Sequence, residues 1–519
     1  MPRPVNRRII LLGGLAAAGA AVGGTVGAAA TPGATGTGRG AGVRAIQFPF
    51  TLGVASGEPT PDGMVLWTRL APAPLNPDGK GGMPASDLPV EWQVATDSAF
   101  ASVVASGTVT ARAAEAHSVH VEPTGLQPGR EYFYRFRADG HLSPAGRTRT
   151  APAAGTSPAS MRIAAASCQH FEEGWYIAHR GIAADRPDLV LFLGDYMYEN
   201  PSGAAEKVRG YVLTGESDTL AEYRHRYAQY RTDPDLRAAH AAAPWLVVFD
   251  DHEVENNWNS TNQTAARRTA AFQAFWENMP LRAAQRPSGS AMTLYRRVQW
   301  GSLARLHMLD TRQYRAAQAP ADNCTVMRDP ARTLTGAAQE QWLLDGFTQH
   351  PSTWDLLGQQ VFFAQRDGDG NRATCTGNST DAWDGYTASR DRIANGWVQR
   401  GVPNMVVLTG DVHRHWASDL RRDYYDFAGP VIGSELVTTS VTSGGRGGDT
   451  APPSSTWRAN NPHIKYVQDQ RGYVRATITP STLTAEFMVV TPSVLSATAT
   501  VAVDRRFTIQ AGRPGLQPA

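Results

Sequence analysis

Two short stretches of this chain share one grammar, and it narrows the folds open to the whole. In the first, D-L-V-L-F-L-G-D-Y-M-Y-E from Asp188 to Glu199, an unbroken apolar run from Leu189 to Leu193 reads as a strand buried on both faces. It stops at Gly194, and the next residue is the carboxylate Asp195. In the second, N-M-V-V-L-T-G-D-V-H, Met405 to Leu408 form the strand, and Gly410, Asp411 and His413 follow. Gly-Asp is also a common strand-to-loop turn, so either stretch alone is ambiguous. A third stretch tips the balance. P-W-L-V-V-F-D-D-H-E-V-E-N-N-W, Pro244 to Trp258, carries Asp250, Asp251, His252 and Glu253 just past its apolar run. Open α/β sheets place their chemistry past the carboxyl ends of the strands. Three strand ends loaded with Asp and His therefore suggest a two-metal hydrolase site.

A chain of 519 residues is too long for one core and implies two or three domains. Residues 1–30 read as an export leader: Arg7-Arg8, a mild Gly/Ala-rich apolar run, then Ala28-Ala29-Ala30 for cleavage. Paired arginines before a weak apolar core favour the twin-arginine machinery and a secreted product. Residues 31–44, rich in Gly and Thr, read as a flexible linker. The formal net charge is +2, and three of the arginines lie in the leader. The mature chain is thus close to neutral, without the basic footprint of a nucleic-acid binder. No other apolar run is long enough to span a bilayer, and a monomer is expected.

Residues 45–150 read as an all-β sandwich of short strands broken by turn clusters such as E-P-T-P-D-G. Leu126, Pro128 and Tyr132 resemble the signature of fibronectin III-like sandwiches, where a corner tyrosine bonds back to the backbone. Its expected role is packing and support, with carbohydrate or protein binding as the alternative. Residues 151–160, rich in Pro, Ala and Ser, mark a linker, and a catalytic domain is expected over 161–510. There strands alternate with helices near 174–184, 219–230, 264–278 and 337–347, and β alternation returns after Tyr473. The expectation is α/β: two mixed sheets packed face to face with helices outside. Loops are expected over 311–336 and 366–400, and a disordered tail over 511–519. Cys324 and Cys375 lie in polar loops, where they can pair as a disulfide. That leaves Cys168 at a strand end, where ligation to a metal explains a free thiol better than exposure does.

The stretches F-T-L-G-V-A-S-G-E-P, C-Q-H-F-E-E-G, L-F-L-G-D-Y-M-Y-E, F-D-D-H-E-V-E-N-N-W, L-D-T-R-Q-Y-R, D-A-W-D-G-Y and L-T-G-D-V-H, in that order, resemble the PhoD-like alkaline phosphatases. That family includes some secreted streptomycete phospholipases D. The resemblance implies a purple-acid-phosphatase-like, two-sheet metallophosphatase domain behind a β-sandwich, and a centre of iron(III) and calcium. It places Cys168, Asp195, Tyr198 and His413 on the first metal, with Asp195 bridging, and Asp251 and Asp411 on the second. The donors agree: thiolate, phenolate, carboxylate and imidazole suit Fe(III), whereas an oxygen-rich site selects calcium. Asp250 either joins this site or supports it from behind, and Asn256 and Asn257 either add oxygens or cap a turn. A metal-bound hydroxide is the expected nucleophile. His252 is the expected proton donor, or else a structural histidine. Arg312 either clamps phosphate or ties its loop by a salt bridge. D-G-D-G-N at 367–371 lacks the closing Glu of a calcium loop and reads as a turn. Expected substrates are phosphate-ester small molecules or phospholipid: an alkaline phosphomonoesterase first, a phosphodiesterase or phospholipase D second. A binding module with purely structural metals is the alternative of another class, and no motif supports a covalent serine or threonine phosphatase.

Overall fold

The apolar runs become neighbouring parallel strands. In the computed structural model, Met161–Ala166, Leu189–Leu193 and Pro244–Val248 lie side by side, with Leu189 opposite Ile163 and Leu193 opposite Val248. The structure describes residues 46–349, 351–447 and 455–519; the expected leader and linker lie outside them. Every residue of Leu189–Leu193 is buried, because both faces are covered. Phe192 stacks 6.2 Å from the His179 ring on helix Ile177–Asp185. Leu193 points the other way: its Cδ2 is 3.5 Å from where a Cβ would stand on Gly358, in a second sheet.

The first sheet has ten strands. Gly472–Ile478, Thr482–Thr491, Thr500–Gln510 and Arg513–Pro518 extend it antiparallel on one side; on the other Val54–Thr60 joins parallel, and Gly63–Arg69 and Ser118–Val121 follow antiparallel. The second sheet has seven, with Ala304–Met308, Trp354–Gly358, Met405–Thr409 and Val431–Val437 parallel at its centre. Leu191, Val247, Leu306, Leu356 and Val406, from both sheets, share one apolar cluster. The two-sheet α/β expectation is met.

Of the region expected over 45–150, the described residues 46–150 are all-β, yet they are not a separate layer. Val54–Thr60 runs parallel to Pro244–Val248 and carries Gly63–Arg69 and Ser118–Val121 into the ten-stranded sheet. Only Leu88–Ala95, Val103–Ala111, Glu131–Ala138, His141–Leu142 and Gly146–Arg149 form a sheet of their own. A strand partner some 190 residues away along the chain leaves no local signal. The corner bond does form: the Gln127 N–H donates to the Tyr132 hydroxyl at 2.9 Å. Buried Glu58 accepts Arg296 Nε at 2.8 Å and Nη2 at 2.5 Å, which fastens this region to the second sheet's edge strand Arg296–Trp300. Residues 151–160 are pinned as well, the Ser302 N–H donating to the Thr156 carbonyl at 2.7 Å.

Two local expectations need correction, and a third is met. The tail expected to be disordered over 511–519 is ordered: Gly512, at φ 76°, turns the chain, and Arg513–Pro518 pairs with Thr500–Gln510. Leu516 is buried and its N–H donates to Asp419 Oδ1 at 2.9 Å. Proline and glycine mimic a tail in composition, but an edge strand tolerates both. The loop expected over 366–400 contains helix Thr387–Gln399, whose buried face includes Ile393 and Trp397. Its Asn395-Gly396 reads as a breaker, but Gly396 is there for close packing: a Cβ would meet Leu344 Cδ2 at 2.2 Å. Cys324 and Cys375 do pair, closing a separation of 51 residues.

The strand that delivers Asp411 is anchored from below. Glu435, fully buried, accepts N–H bonds from Phe363 (2.7 Å) and Ala364 (2.9 Å) and the Thr409 hydroxyl (2.7 Å). Burial pushes its carboxyl up to about 7. A carboxyl raised on folding stabilises the folded state fully below its unfolded value of about 4.5, and that stability is lost as pH rises through about 7. Between pH 4.5 and 8, wild type is expected to lose about 3 kcal/mol more in urea unfolding than Glu435→Gln does. Glu58→Ala, which strands the buried Arg296, is expected to cost about 3–5 kcal/mol in the same assay.

Candidate metal centre

The two sheets meet at the carboxyl ends of their parallel strands, and both Gly-Asp glycines are there for closeness. A Cβ on Gly194 would stand 2.4 Å from Asp250 Cβ, and one on Gly410 would stand 2.8 Å from the Leu193 carbonyl. The ends are laced by backbone bonds. Cys168 N–H donates to the Gly194 carbonyl and Gln169 N–H to the Asp195 carbonyl, both at 3.1 Å, and Val441 N–H donates to the Ser167 carbonyl at 2.9 Å. Immediately past the strands, four non-glycine residues hold left-handed backbone: Cys168 (φ 57°), Asp195 (56°), Asp411 (63°) and His413 (53°). Such conformations cost about 1–3 kcal/mol each and persist only where the surroundings impose them. Part of the imposition comes from Glu253. Its buried carboxylate accepts the N–H groups of Asp195 (3.1 Å), Tyr196 (2.5 Å) and Asp250 (2.9 Å), locking two strand ends together.

The side chains so presented form three overlapping groups. Ligand atoms of Cys168, Asp195 and His413 lie within 4.8 Å of one another; so do those of Asp195, Asp251 and His252, and those of Asp250, Asp251 and Asp411. The Tyr198 hydroxyl donates to Asp195 Oδ2 at 3.0 Å and lies 3.2 Å from His413 Nε2. All six residues expected as metal ligands are therefore brought together, and Asp195 sits in two of the groups. Asp250 joins the third group, which the sequence left open. Asn256 and Asn257 contribute backbone N–H bonds, to Glu199 Oε1 (2.8 Å) and Asp251 Oδ2 (2.7 Å). D-G-D-G-N is the turn it was expected to be, with Asp367 Oδ1 accepting the N–H groups of Asp369 and Gly370.

Charge here is out of balance. Burial, reinforced by Asp251, pushes the Asp195 carboxyl well above its ordinary range, and burial with Asp250 does the same to Asp411. Burial and the Asp195 carboxylate hold the Cys168 thiol and the Tyr198 phenol up. Burial drives His413 down to about 3. A cation would ionise the acids, the thiol and the phenol, and would find the imidazole already neutral. Asp250 Oδ2 and Asp251 Oδ1 are buried with no hydrogen-bond partner among the described residues, Asp251 Oδ1 having only the Arg312 guanidinium at 3.5 Å, at odds with the rule that buried polar atoms are satisfied. The donor set thus fits bound cations.

Arg312 is fully buried and its fork is filled. Nε donates to Asp250 Oδ1 at 2.5 Å, and Nη1 and Nη2 grip Asp381 at 3.0 and 2.9 Å. This is the loop-tying arrangement; clamping a phosphate would first require Asp381 to let go. Burial opposes ionisation of Asp251, but Arg312 and His252 outweigh it and keep that carboxylate well below its usual range. His252 Nδ1 lies 2.7 Å from Glu199 Oε2, and its ring sits 4.0 Å from that of Tyr198. Burial would lower His252, yet Asp251, Asp195 and Glu199 together raise it well above the ordinary range. Sequence reasoning assigned no role to Glu199, Glu253 or Asp381. Glu199 closes the first stretch, Glu253 follows His252 within the third, and Asp381 opens D-A-W-D-G-Y, but nothing local says which neighbour each will hold.

A two-sheet α/β fold that gathers a thiol, a phenol, imidazoles and acids at its strand ends defines a class of hydrolytic enzyme, here the phosphatases. The chain belongs to the PhoD-like phosphatase family: that family's profile matches residues 163–487, and the PhoD-like phosphatase N-terminal domain matches residues 37–152. It is 45% identical over 488 residues to alkaline phosphatase D of Bacillus subtilis (strain 168), covering 91% of this chain and 82% of that one. A solved structure described as that of PhoD superposes with a TM-score of 0.87 at 44% identity, over 91% of this chain and 92% of the other. The protein is a phosphatase. Among the described residues no helix is long and apolar enough to cross a membrane.

Arg312→Ala would leave Asp250 and Asp251 without their buried counter-charge, while Asp381 would keep Arg315. In chelator-treated protein it is expected to cost about 3–5 kcal/mol, read as a fall in urea midpoint against wild type.

Proposed function

We propose that this phosphatase is a secreted, metal-dependent phosphomonoesterase working at alkaline pH on iron(III) and calcium. The observation that carries the reading is the partition of donors. A sulfur–phenol–imidazole–carboxylate group and an all-carboxylate group are linked by a third, Asp195, Asp251 and His252, which takes one acid from each. The first suits Fe(III) and the second calcium. Cys168, Asp195, Tyr198 and His413 would hold the first ion, and Asp250, Asp251 and Asp411, with Asp195 shared, the second. When bound, the two cations supply Lewis acidity that activates water and neutralises phosphoryl charge. The chain's own residues do the rest. Arg312 keeps Asp250 and Asp251 in register. His252, Asp411 and His413 are the half-buried members of the groups, and they mark the side from which a phosphate ester enters. His252 there can donate a proton to the departing oxygen.

The resemblance of the first region to fibronectin III-like sandwiches, and of the two-sheet domain to purple acid phosphatases, supports the same reading of the architecture. Arg7-Arg8 support twin-arginine export, and a monomer suffices because every proposed ligand comes from one chain. A phosphodiesterase or phospholipase D would use the same centre and differ in what the entrance accepts.

Elemental analysis of the purified protein is expected to find iron and calcium, and chelation is expected to abolish turnover until both are returned. Cys168→Ala and Asp195→Asn should each lower kcat/KM by more than the ~10–100-fold typical of outer partners. p-Nitrophenyl phosphate should be hydrolysed faster than bis-p-nitrophenyl phosphate or phosphatidylcholine. The reverse order would assign the diesterase activity, and full activity without metals would sink the proposal.

A further inference from the structure

Glu199 stands one residue past the proposed ligand Tyr198, carries no role in the reading above, and is completely buried. A buried carboxylate is costly unless each oxygen is committed, and here each is. Oε2 faces His252 Nδ1 at 2.7 Å. Oε1 accepts the Asn256 N–H at 2.8 Å and the Asn200 side-chain amide at 3.2 Å. Its backbone is held too, the carbonyl accepting from Ser217 N at 2.9 Å and Arg226 Nη2 at 3.2 Å. With donors already on Oε1, the Glu199 site is built to accept, and the geometry places the hydrogen of the 2.7 Å contact on His252 Nδ1. The far nitrogen, Nε2, has no hydrogen-bond partner among the described residues. The His252 side chain is 18% exposed where Glu199 is closed off. Tyr198 limits rotation of the ring from one face at 4.0 Å, and the His252 N–H reaches Asp195 Oδ1 at 3.4 Å.

Resting on the phosphoesterase reading, we propose that Glu199 is a positioning residue: it fixes His252 with Nδ1 inward, so that Nε2 is the nitrogen presented to the leaving oxygen of the bound ester. As a water oxygen forms the new bond to phosphorus, the electron pair of the old P–O bond leaves with the ester oxygen. That oxygen takes the proton from Nε2 and departs as an alcohol. The proton released by the attacking water restores Nε2, leaving phosphate and an alcohol for one ester and one water. Help of this kind matters most where the leaving alcohol is a weak acid.

The test is a leaving-group series, from p-nitrophenyl through phenyl to alkyl phosphates, on metal-loaded wild type, Glu199→Gln and His252→Asn, with metal content measured on each. Gln can keep its oxygen on the Asn256 N–H only by turning its NH2 toward His252, which makes Nδ1 an acceptor and leaves a neutral ring with no carboxylate to support a second proton. Asn at 252 keeps a donor toward Glu199 but lacks Nε2. Both variants are expected to retain wild-type metal content. They should lose ~10–100-fold in kcat/KM on alkyl phosphates and several-fold less on p-nitrophenyl phosphate. The double variant should be no worse than His252→Asn alone, because the two residues act as one unit. An equal loss across the series, additive losses in the double variant, or loss of metal from Glu199→Gln would each make the pair a structural fastening or a metal support and overturn the proposal. If Glu199→Gln does not fold, the leaving-group slope of His252→Asn decides by itself. Wild type inactive on every ester would instead overturn the phosphoesterase reading.

Discussion

Acidic groups crowd together where two sheets touch, and the rest of the structure depends on how that charge is held. Asp195, Asp250, Asp251 and Asp411 arrive from three strand ends, with Glu199, Glu253 and Asp381 behind them. Facing them are two fully buried guanidiniums: Arg312, which reaches Asp250, Asp251 and Asp381, and Arg315, which joins it on Asp381. Carboxylates removed from water repel strongly and stay ionised only beside cations or several donors. The fold supplies some of both: Arg312 serves Asp250, Asp251 and Asp381, and backbone N–H groups serve Glu253, whose carboxyl burial nevertheless pushes up to about 8. What remains uncompensated, chiefly on Asp195 and Asp411, is the electrostatic case for bound cations.

That arrangement explains why so much of the chain is rigid. Left-handed backbone at four non-glycine positions, and two glycines squeezed between strands, leave no slack at the strand ends. The scaffold has to be stiff around them. The ten-stranded sheet obtains part of its width from the N-terminal region, whose strand Val54–Thr60 runs beside the strand that delivers Asp250 and Asp251. The support role expected of that region is thus built into the sheet itself and not merely into a contact between layers. Glu435 serves the other sheet in the same way, binding three donors beneath the strand that leads to Asp411.

The sequence made the strands and the donors readable because both signals are local. An apolar run of five residues buried on two faces looks the same wherever it lies in a chain, and an acid placed past its end has few other uses. Helices with a cap and a regular apolar period were equally plain, such as Ala265–Asn278 behind Thr264. Thr387–Gln399 was not, since its small and polar residues hide the period until a neighbouring helix explains Gly396. The final strand was hidden for a related reason: an edge strand need bury only one face, and its proline and glycine look like those of a tail.

By itself, then, the sequence determined which atoms were available: one spare thiol, a phenol, two imidazoles and a set of acids, each at the end of a buried strand or one turn beyond. Only the tertiary structure decided how they are shared. That Arg312 is consumed by Asp250 and Asp381, that Glu199 faces His252, and that Glu253 ties Asp195 to Asp250 are facts about neighbours 50 to 70 residues apart along the chain. Identity and spacing fix what a side chain can bind. Which partner it meets is set by the crossing of two sheets, and no stretch of sequence encodes that crossing alone.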